Sequence, residues 1–347
     1  MLVFFYGTFL EFVRNAFWRN SDRGRGNINT SMVEKTPMYT AAATQRALFV
    51  FMDMMLPVVP RYRPFQKGIY TTTPSLLPLG TDFGNGILDL LPLQLDQGTA
   101  ALLANKRQIQ TYRQLVLQAE FEPAVATAAI AQLAAERKRA EAAIDATYSG
   151  NASTEQIWMD TDLPLQQRLQ ALSMAIAEDI AVVQINPDGT DRNAFMSIAA
   201  PSRWAPEEKI GRSFIATHTP VPHMEKTLSA AGKLQQMLIE RGPFVRFTWG
   251  IATTPALDTH PVLTEPPYAG GDAFLRVERQ VIRRIPEHPA FIFTIRVTVE
   301  SLSSVRMVQS DAQALAAALH SMDEKSRIYK SVDGHIDALC NYLLEVP

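Results

Sequence analysis

The sequence contains one cysteine, Cys340, among its 347 residues. A single cysteine excludes an intrachain disulfide, a zinc site made of several cysteines, and a cysteine-ligated iron–sulfur cluster within this chain. It also predicts a reducing compartment, and we expect the protein to be cytoplasmic. No Cys-x-x-Cys-His motif occurs, so any haem is expected to bind without thioether links.

The sequence also lacks a strong charge and a long apolar run. Its formal net charge is −2, so it is not the polycation expected of a nucleic-acid-binding protein. The apolar segment Leu2–Trp18 is short and contains Glu11 and Arg14, which argues against a membrane span or a signal peptide. An amphipathic helix and an irregular extension both remain open for it. No Gly-x-Gly-x-x-Gly motif follows a predicted strand and no P-loop occurs, so nothing indicates a nucleotide site.

The residues that are present predict a mixture of helices and antiparallel strands. Hydrophobic residues make up 47% of the chain and charged residues 20%, as in ordinary globular proteins. The predicted helices are 46–59, 97–149 with a break at Pro123, 164–180, 229–241, 310–322 and 333–344. The predicted strands are 180–185, 193–199, 244–251 and a hairpin over 275–302. Strands with helices on one side predict an α+β fold.

The hairpin Leu275–Leu302 has an unusual polar face. With a period of two, the first strand places on one face Arg276, Glu278, Gln280 and Arg284. A turn centred near Glu287, between Pro286 and Pro289, is expected to bring Glu278 opposite Arg296. Two interpretations stay open at this point: a solvated face with weak ion pairs, or the wall of a pocket for an anion or a cofactor.

Four blocks in this order resemble one known family. They are Pro201–Gly211 (PSRWAPEEKIG), Thr217–Pro222 (THTPVP), Val245–Trp249 (VRFTW), and the hairpin with RVERQ, RRIP and FxFTIR. Together they are similar to the haem-dependent oxidative N-demethylase alpha subunits, first catalogued as a domain of unknown function. Weaker similarity extends back to Pro64, and four ordered blocks are far more specific than one short motif.

The resemblance implies a PAS-like domain with an antiparallel sheet, flanking helices and a helical N-terminal region. We expect an N-terminal extension over residues 1–63 and a haem-binding domain over residues 64–347, with a helical insertion at about 97–176. The resemblance also implies haem b as the cofactor, a dimethylamine-like substrate, dioxygen, and electrons from a separate reductase subunit. A haem- or ligand-binding PAS-type sensory or structural protein without turnover is the alternative.

The resemblance further implies a set of site residues. His218, followed by Pro220 and Pro222, is the leading candidate for the iron ligand; His223 and Cys340 are weaker candidates. Glu278 and Arg296 are the candidate catalytic residues. The other candidates for cofactor binding are Trp204, Lys209, Arg246, Trp249, Arg276, Arg279 and Arg284.

The sequence departs from the family pattern at two places. Thr248 stands where the family usually has asparagine, and Val297-Thr298 replaces a segment that usually ends in tyrosine. If the asparagine and the tyrosine shape the pocket, the substrate can differ while haem binding is kept.

Overall fold

The computed structural model describes residues 62–73, 75–83, 90–143 and 157–345. The predictions for Leu2–Trp18 and for the helix at 46–59 therefore lie outside the described residues, as does the end of the predicted helix at 97–149. The described residues form helices and an antiparallel sheet, which confirms the α+β class. The domain boundary near residue 63 stays a prediction.

Seven strands of the described chain form one sheet in the order β1-β5-β6-β7-β3-β4-β2, with every neighbouring pair antiparallel. The strands are β1 (Leu77–Pro78), β2 (Val116–Gln118), β3 (Asp179–Ile185), β4 (Asp191–Ser197), β5 (Phe244–Ala252), β6 (Phe274–Arg284) and β7 (Ala290–Ser301). The predicted strands match β3 to β7. The short strands β1 and β2, at the two sheet edges, have too few residues for a visible alternation.

The helices of the described residues lie between and after these strands. They are α1 (Thr99–Ile109), α2 (Pro123–Ala142), α3 (Leu165–Ala175), α4 (Phe214–His218), α5 (Glu225–Ser229), α6 (Ala231–Glu240), α7 (Leu302–Val305), α8 (Gln309–His320), α9 (Glu324–Tyr329) and α10 (Ile336–Leu344). Pro123 begins α2, a position where its missing N–H costs nothing. The predicted division of this region at Pro123 is confirmed, and β2 lies between the two helices. No helix among the described residues has the length and apolar character needed to cross a bilayer.

The two faces of the sheet have different neighbours. One face is covered by helices. Alternate residues of β3 and β7 pack there against α2 and α3 in a buried cluster that includes Leu133 and Ile292. Residues of β5 and β6, among them Ile251 and Val277, pack against α8 and α10. The opposite face carries the polar residues of β6 and lines a cavity. The strand alternation thus separates a helix-side core from a cavity wall.

The register of the β6–β7 hairpin differs by one residue from the prediction. Arg284 pairs with Phe291. The backbone N–H of Ile285 donates to the carbonyl of Ala290, and the carbonyl of Ile285 accepts from the N–H of His288, around a loop of four residues, 286–289. Glu287 adopts a left-handed conformation in that loop, with φ of 65°. The turn is therefore centred between residues 287 and 288. Because a one-residue shift moves every side chain to the other face, Arg296 lies on the helix side and Glu278 on the cavity side.

Buried charged residues attach the helices to the back of the sheet. Arg283 of β6 pairs with Glu136 of α2, and both side chains are about 3% exposed. Lys106 of α1 is fully buried and donates to the carbonyls of Ser173, Ile176 and Glu178 at 2.6–3.2 Å. Burial lowers the pKa of Lys106 to about 8. These contacts belong to the scaffold and not to the cavity.

Candidate functional site

A cavity of about 1660 Å³ lies against the polar face of the sheet. Sites for one drug-sized ligand measure about 300–1,000 Å³, so this cavity has room for more than one small molecule. Its floor comes from β3 to β7. Its walls come from residues 62–77, from the segment 202–221 after β4, and from residues 329–331 after α9.

His218 ends the short helix α4 and lines the cavity. Its Nδ1 lies 2.8 Å from the carbonyl oxygen of Phe214, and the two rings are 4.2 Å apart. A carbonyl oxygen only accepts, so Nδ1 carries the proton and Nε2 keeps its lone pair. Burial is the main cause that lowers the pKa of His218. The ring is therefore neutral and oriented, with Nε2 available to a ligand.

Two cationic side chains lie near His218. Arg246 of β5 and Lys209 both line the cavity, and their positive charges help to lower the pKa of the imidazole. The Nε of Arg246 is buried and has no hydrogen-bond partner in the part of the chain that the structure describes. A buried guanidinium nitrogen without an acceptor costs free energy unless a ligand supplies one. This pair is thus suited to an anion beside His218.

Glu278 lies at the centre of a polar network on the cavity side of β6. Its carboxylate accepts hydrogen bonds from Ser202, from Thr248 at 3.3 Å and from Gln280 at 2.8 Å. The strand pairing places it opposite Thr248 on one side and Val297 on the other. Thr248, where the sequence departs from the expected family pattern, therefore donates to this acid through its hydroxyl.

Arg276 is on the same face, two residues before Glu278, and is 5% exposed. Its donors are used by the protein: Nε binds Ser202 at 2.9 Å, and its two terminal nitrogens bind the carbonyls of Ala200 at 2.6 Å and Ala256 at 3.3 Å. Arg276 therefore orders the loops above the sheet, and Ser202 connects it to Glu278.

The two predicted tryptophans occupy different environments. Trp204 is partly buried and lies on the cavity wall next to the cluster around Ile198 and Val297. Trp249 is 6% exposed and packs edge-on against Phe65 and Tyr70 at 5.9 and 5.6 Å. Since Trp249 belongs mainly to the helix-side core, it contributes one edge of the wall and not a broad face.

Three predicted arginines lie away from the cavity. Arg296 is on the helix side, where it binds Asp96 and Glu178, so the predicted Glu278–Arg296 pair is wrong. Arg279 shares that side and donates to the carbonyls of Leu91 and Pro92. Arg284 is exposed at the end of the hairpin. The one-residue register shift accounts for Arg296, because Arg279 and not Glu278 faces it across the strands.

The weaker candidates for an iron ligand also lie outside the cavity. Cys340 is buried in the helix-side core, where its thiol donates to the carbonyl of Ala316 and burial raises its pKa to about 11. His223 is exposed and pairs with Asp323 at 2.5 Å.

The departure from the family pattern at Thr298 lies on the helix side of the sheet, since Thr298 pairs with Val277.

Lys330 and Tyr329, at the end of α9, are site residues that the sequence did not indicate. Both line the cavity beside Tyr70. The ammonium of Lys330 lies 5.6 Å from the Tyr329 ring and 6.0 Å from the Tyr70 ring. These residues are distant in sequence from the four blocks and have no local pattern, so only the packing of α9 against the sheet edge could reveal them.

The chain was compared with known protein families. The family model described as haem-dependent oxidative N-demethylase, alpha subunit-like, matches residues 132–340. The matched range includes His218, Arg246 and Glu278, together with the whole of β3 to β7. It also includes Lys330, but it ends before the last residues of α10.

Proposed function

The chain belongs to the haem-dependent oxidative N-demethylase alpha subunit-like family, and from this we propose that it binds haem b in the cavity of a PAS-like sheet. We further propose that it removes the methyl group of a small secondary amine resembling dimethylamine. The observation that carries the proposal is the neutral His218 ring, whose Nδ1 is bound to its own helix while Nε2 stays available at the cavity.

The residues around the cavity fit this cofactor. An axial histidine commonly donates its second nitrogen to a carbonyl, which sets the orientation of the ring, and Nδ1 of His218 does so with Phe214. The buried Nε of Arg246 lacks an acceptor, and Lys209 lies on the same side of the cavity. Both are suited to the carboxylates of haem, because guanidinium and ammonium groups bind carboxylates by charge-assisted hydrogen bonds.

When bound, haem supplies the dioxygen and one-electron chemistry. The protein side chains hold and orient the reactants. His218 would hold and orient the cofactor, Arg246 and Lys209 would bind its carboxylates, and Trp204 would lie on the wall beside it. Glu278 lines the cavity and accepts three hydrogen bonds, which hold its carboxylate in position to bind the ammonium of an amine.

The overall reaction needs electrons from outside this chain. Dimethylamine, dioxygen, two electrons and two protons give methylamine, formaldehyde and water. One C–N bond breaks and the methyl carbon is oxidised. The family description names an alpha subunit, and we propose a separate reductase subunit as the electron donor. Purified chain alone is therefore expected to show no useful turnover with NADPH.

An absorption spectrum of the purified chain tests the proposal. We expect a Soret band of the histidine-ligated type after haem reconstitution, and its loss in His218→Ala. His223→Ala is the matched control, because His223 is exposed and pairs with Asp323. An open coordination position is expected to appear as a carbon monoxide shift of the reduced form.

Each other outcome points to a different protein. Absence of a Soret band in the reconstituted wild type contradicts haem binding. A six-coordinate spectrum that does not respond to carbon monoxide supports a PAS-type sensor without turnover. A scaffold that has lost the cofactor is expected to bury this histidine in a core, whereas His218 lies beside a cavity of about 1660 Å³.

A further inference from the structure

The cavity has more cationic than anionic side chains. Its acidic lining residues are Glu278, exposed Glu208, and Asp311, which pairs with Arg63. The cavity-lining cations without an ion-pair partner among the described residues, beyond exposed Lys67, are Lys209, Arg246, Arg276 and Lys330. The cavity is therefore suited to ligands that carry negative charge, and not to a dication or a polyamine.

These cations differ in the groups on which they act. The charges of Arg246 and Lys209 act on the His218 ring, the proposed iron ligand. Lys330 has no such influence on His218. Its ammonium is attracted instead by the carboxylate of Glu278 and repelled by Arg203, Arg246 and Arg276. The two carboxylates of haem therefore have partners without Lys330.

The ammonium of Lys330 is held in position without a hydrogen bond or an ion pair to any described residue. It packs against the Tyr70 and Tyr329 rings, a cation–π arrangement. It also lies above Gly250, where a Cβ atom would be 3.8 Å from Nζ. Gly250 pairs with Arg276 on the cavity side of the sheet. Lys330 thus presents an unpaired, partly desolvated charge to the cavity.

We propose that Lys330 and Glu278 together select a zwitterionic substrate, an N-methylated amino acid whose carboxylate binds Lys330 and whose secondary ammonium binds Glu278. This inference rests on the proposed function and narrows its substrate class. The cavity volume of about 1660 Å³ leaves room for such a molecule beside a large cofactor. Dioxygen, two electrons from the reductase and two protons oxidise the N-methyl carbon. The bond between nitrogen and this carbon breaks, which releases formaldehyde and water and leaves the amino acid with a primary amine.

Binding to the haem-loaded chain tests this inference, with N-methylglycine and dimethylammonium as probes. Isothermal calorimetry is the main measurement and the Soret shift the second. We expect N-methylglycine to bind about tenfold more tightly than dimethylammonium, because a second charge-assisted contact contributes about this factor. Lys330→Met is expected to remove the difference and to leave dimethylammonium binding unchanged or slightly tighter.

Lys325→Met is the matched control, since Lys325 is an exposed lysine in the same helix, α9. Lys330→Met is expected to fold normally, because it removes a buried charge that three arginines repel. Burial lowers the pKa of Lys330 to about 8. The wild type is therefore expected to lose its N-methylglycine preference as the pH rises through about 8, while Lys330→Met shows no such change.

The charged and titratable groups around the Lys330 ammonium are Glu278, Arg203, Arg246, Arg276, Tyr70 and Tyr329. Burial raises the pKa of both tyrosines, so they stay neutral in this pH range. Equal affinity of the loaded wild type for the two probes overturns this inference alone. Loss of haem in Lys330→Met also overturns this inference, because such a loss means that Lys330 binds the cofactor and not the substrate. A wild type that takes up no haem contradicts the proposed function instead.

Discussion

Arg296 is expected to stabilise the fold and to have no part in catalysis. Its guanidinium is 1% exposed and binds Asp96, Glu178 at 3.2 Å, the carbonyl of Gln94 at 2.9 Å and Thr99 at 3.0 Å. These partners come from the segment before α1, from the first residue of α1 and from the residue before β3. Arg296→Met keeps an unbranched apolar stem and removes every one of these contacts.

The expected loss follows from the burial of the acids that remain. Glu178 is 2% exposed, and besides Arg296 its carboxylate accepts a hydrogen bond from the backbone N–H of Gln94. Removing one partner of a buried ion pair costs about 3–5 kcal/mol, mainly because the other charge stays buried without compensation. We therefore expect Arg296→Met to lower the free energy of unfolding by about that amount, a large part of the 5–15 kcal/mol roughly typical of a domain.

Urea unfolding followed by circular dichroism measures this loss. Arg284→Met is the matched control, because Arg284 is exposed in the same hairpin and surface substitutions change stability by about 0.5 kcal/mol or less. Adding Glu178→Met to Arg296→Met removes the stranded acid and is expected to regain part of the loss. The haem spectrum of folded Arg296→Met is expected to match that of the wild type.

Two results refute this reasoning. The first is an unfolding midpoint of Arg296→Met equal to that of Arg284→Met, which means that the network contributes nothing measurable. The second is an unfolding midpoint equal to that of the wild type together with an altered haem spectrum, which means that Arg296 acts at the cofactor site. Either result also questions the register that places Arg296 opposite Arg279.

Two further predictions concern the cavity and its edge. Arg246→Met is expected to release haem to an excess of a scavenging apoprotein roughly tenfold faster than the wild type, since a charge-assisted hydrogen bond contributes about 1.5–3 kcal/mol. Arg241→Met is the control, because Arg241 is exposed. Equal release rates of the two variants contradict the proposed contact between Arg246 and a haem carboxylate. Trp249→Ala is expected to cost about 3–5 kcal/mol of stability as a core residue. Trp204→Ala is expected to lower the stability less than Trp249→Ala and to shift the Soret band. Calorimetric melting and absorption spectra of the two variants measure these effects.

The strand alternation of the hairpin was readable from the sequence, but its register was not. Alternating residues correctly grouped Arg276, Glu278 and Gln280 on one face. Which β7 residues lie opposite them depends on where the loop is centred. Glu287 adopts a left-handed conformation, and the loop has four residues. A shift of one residue moved Arg296 from the expected site to the helix-side core.

The site itself was only partly predictable for a similar reason. His218, Lys209 and Arg246 lie in the blocks that carry the resemblance, and all three line the cavity. Lys330 and Tyr70 lie outside those blocks, and they reach the cavity because α9 and the segment before β1 pack at its rim. Such contacts join residues more than two hundred positions apart, which no local pattern can specify.

By itself, the sequence determined the α+β class, the main strands, the family and the identity of the histidine at the cavity, because alternation and ordered motifs are local properties of the chain. The tertiary structure alone decided which charges face the cavity and which are buried behind the sheet. Arg276, Arg279 and Arg296 have the same side-chain chemistry. Their environments differ because strand register and helix packing place one beside the cavity and two in the scaffold.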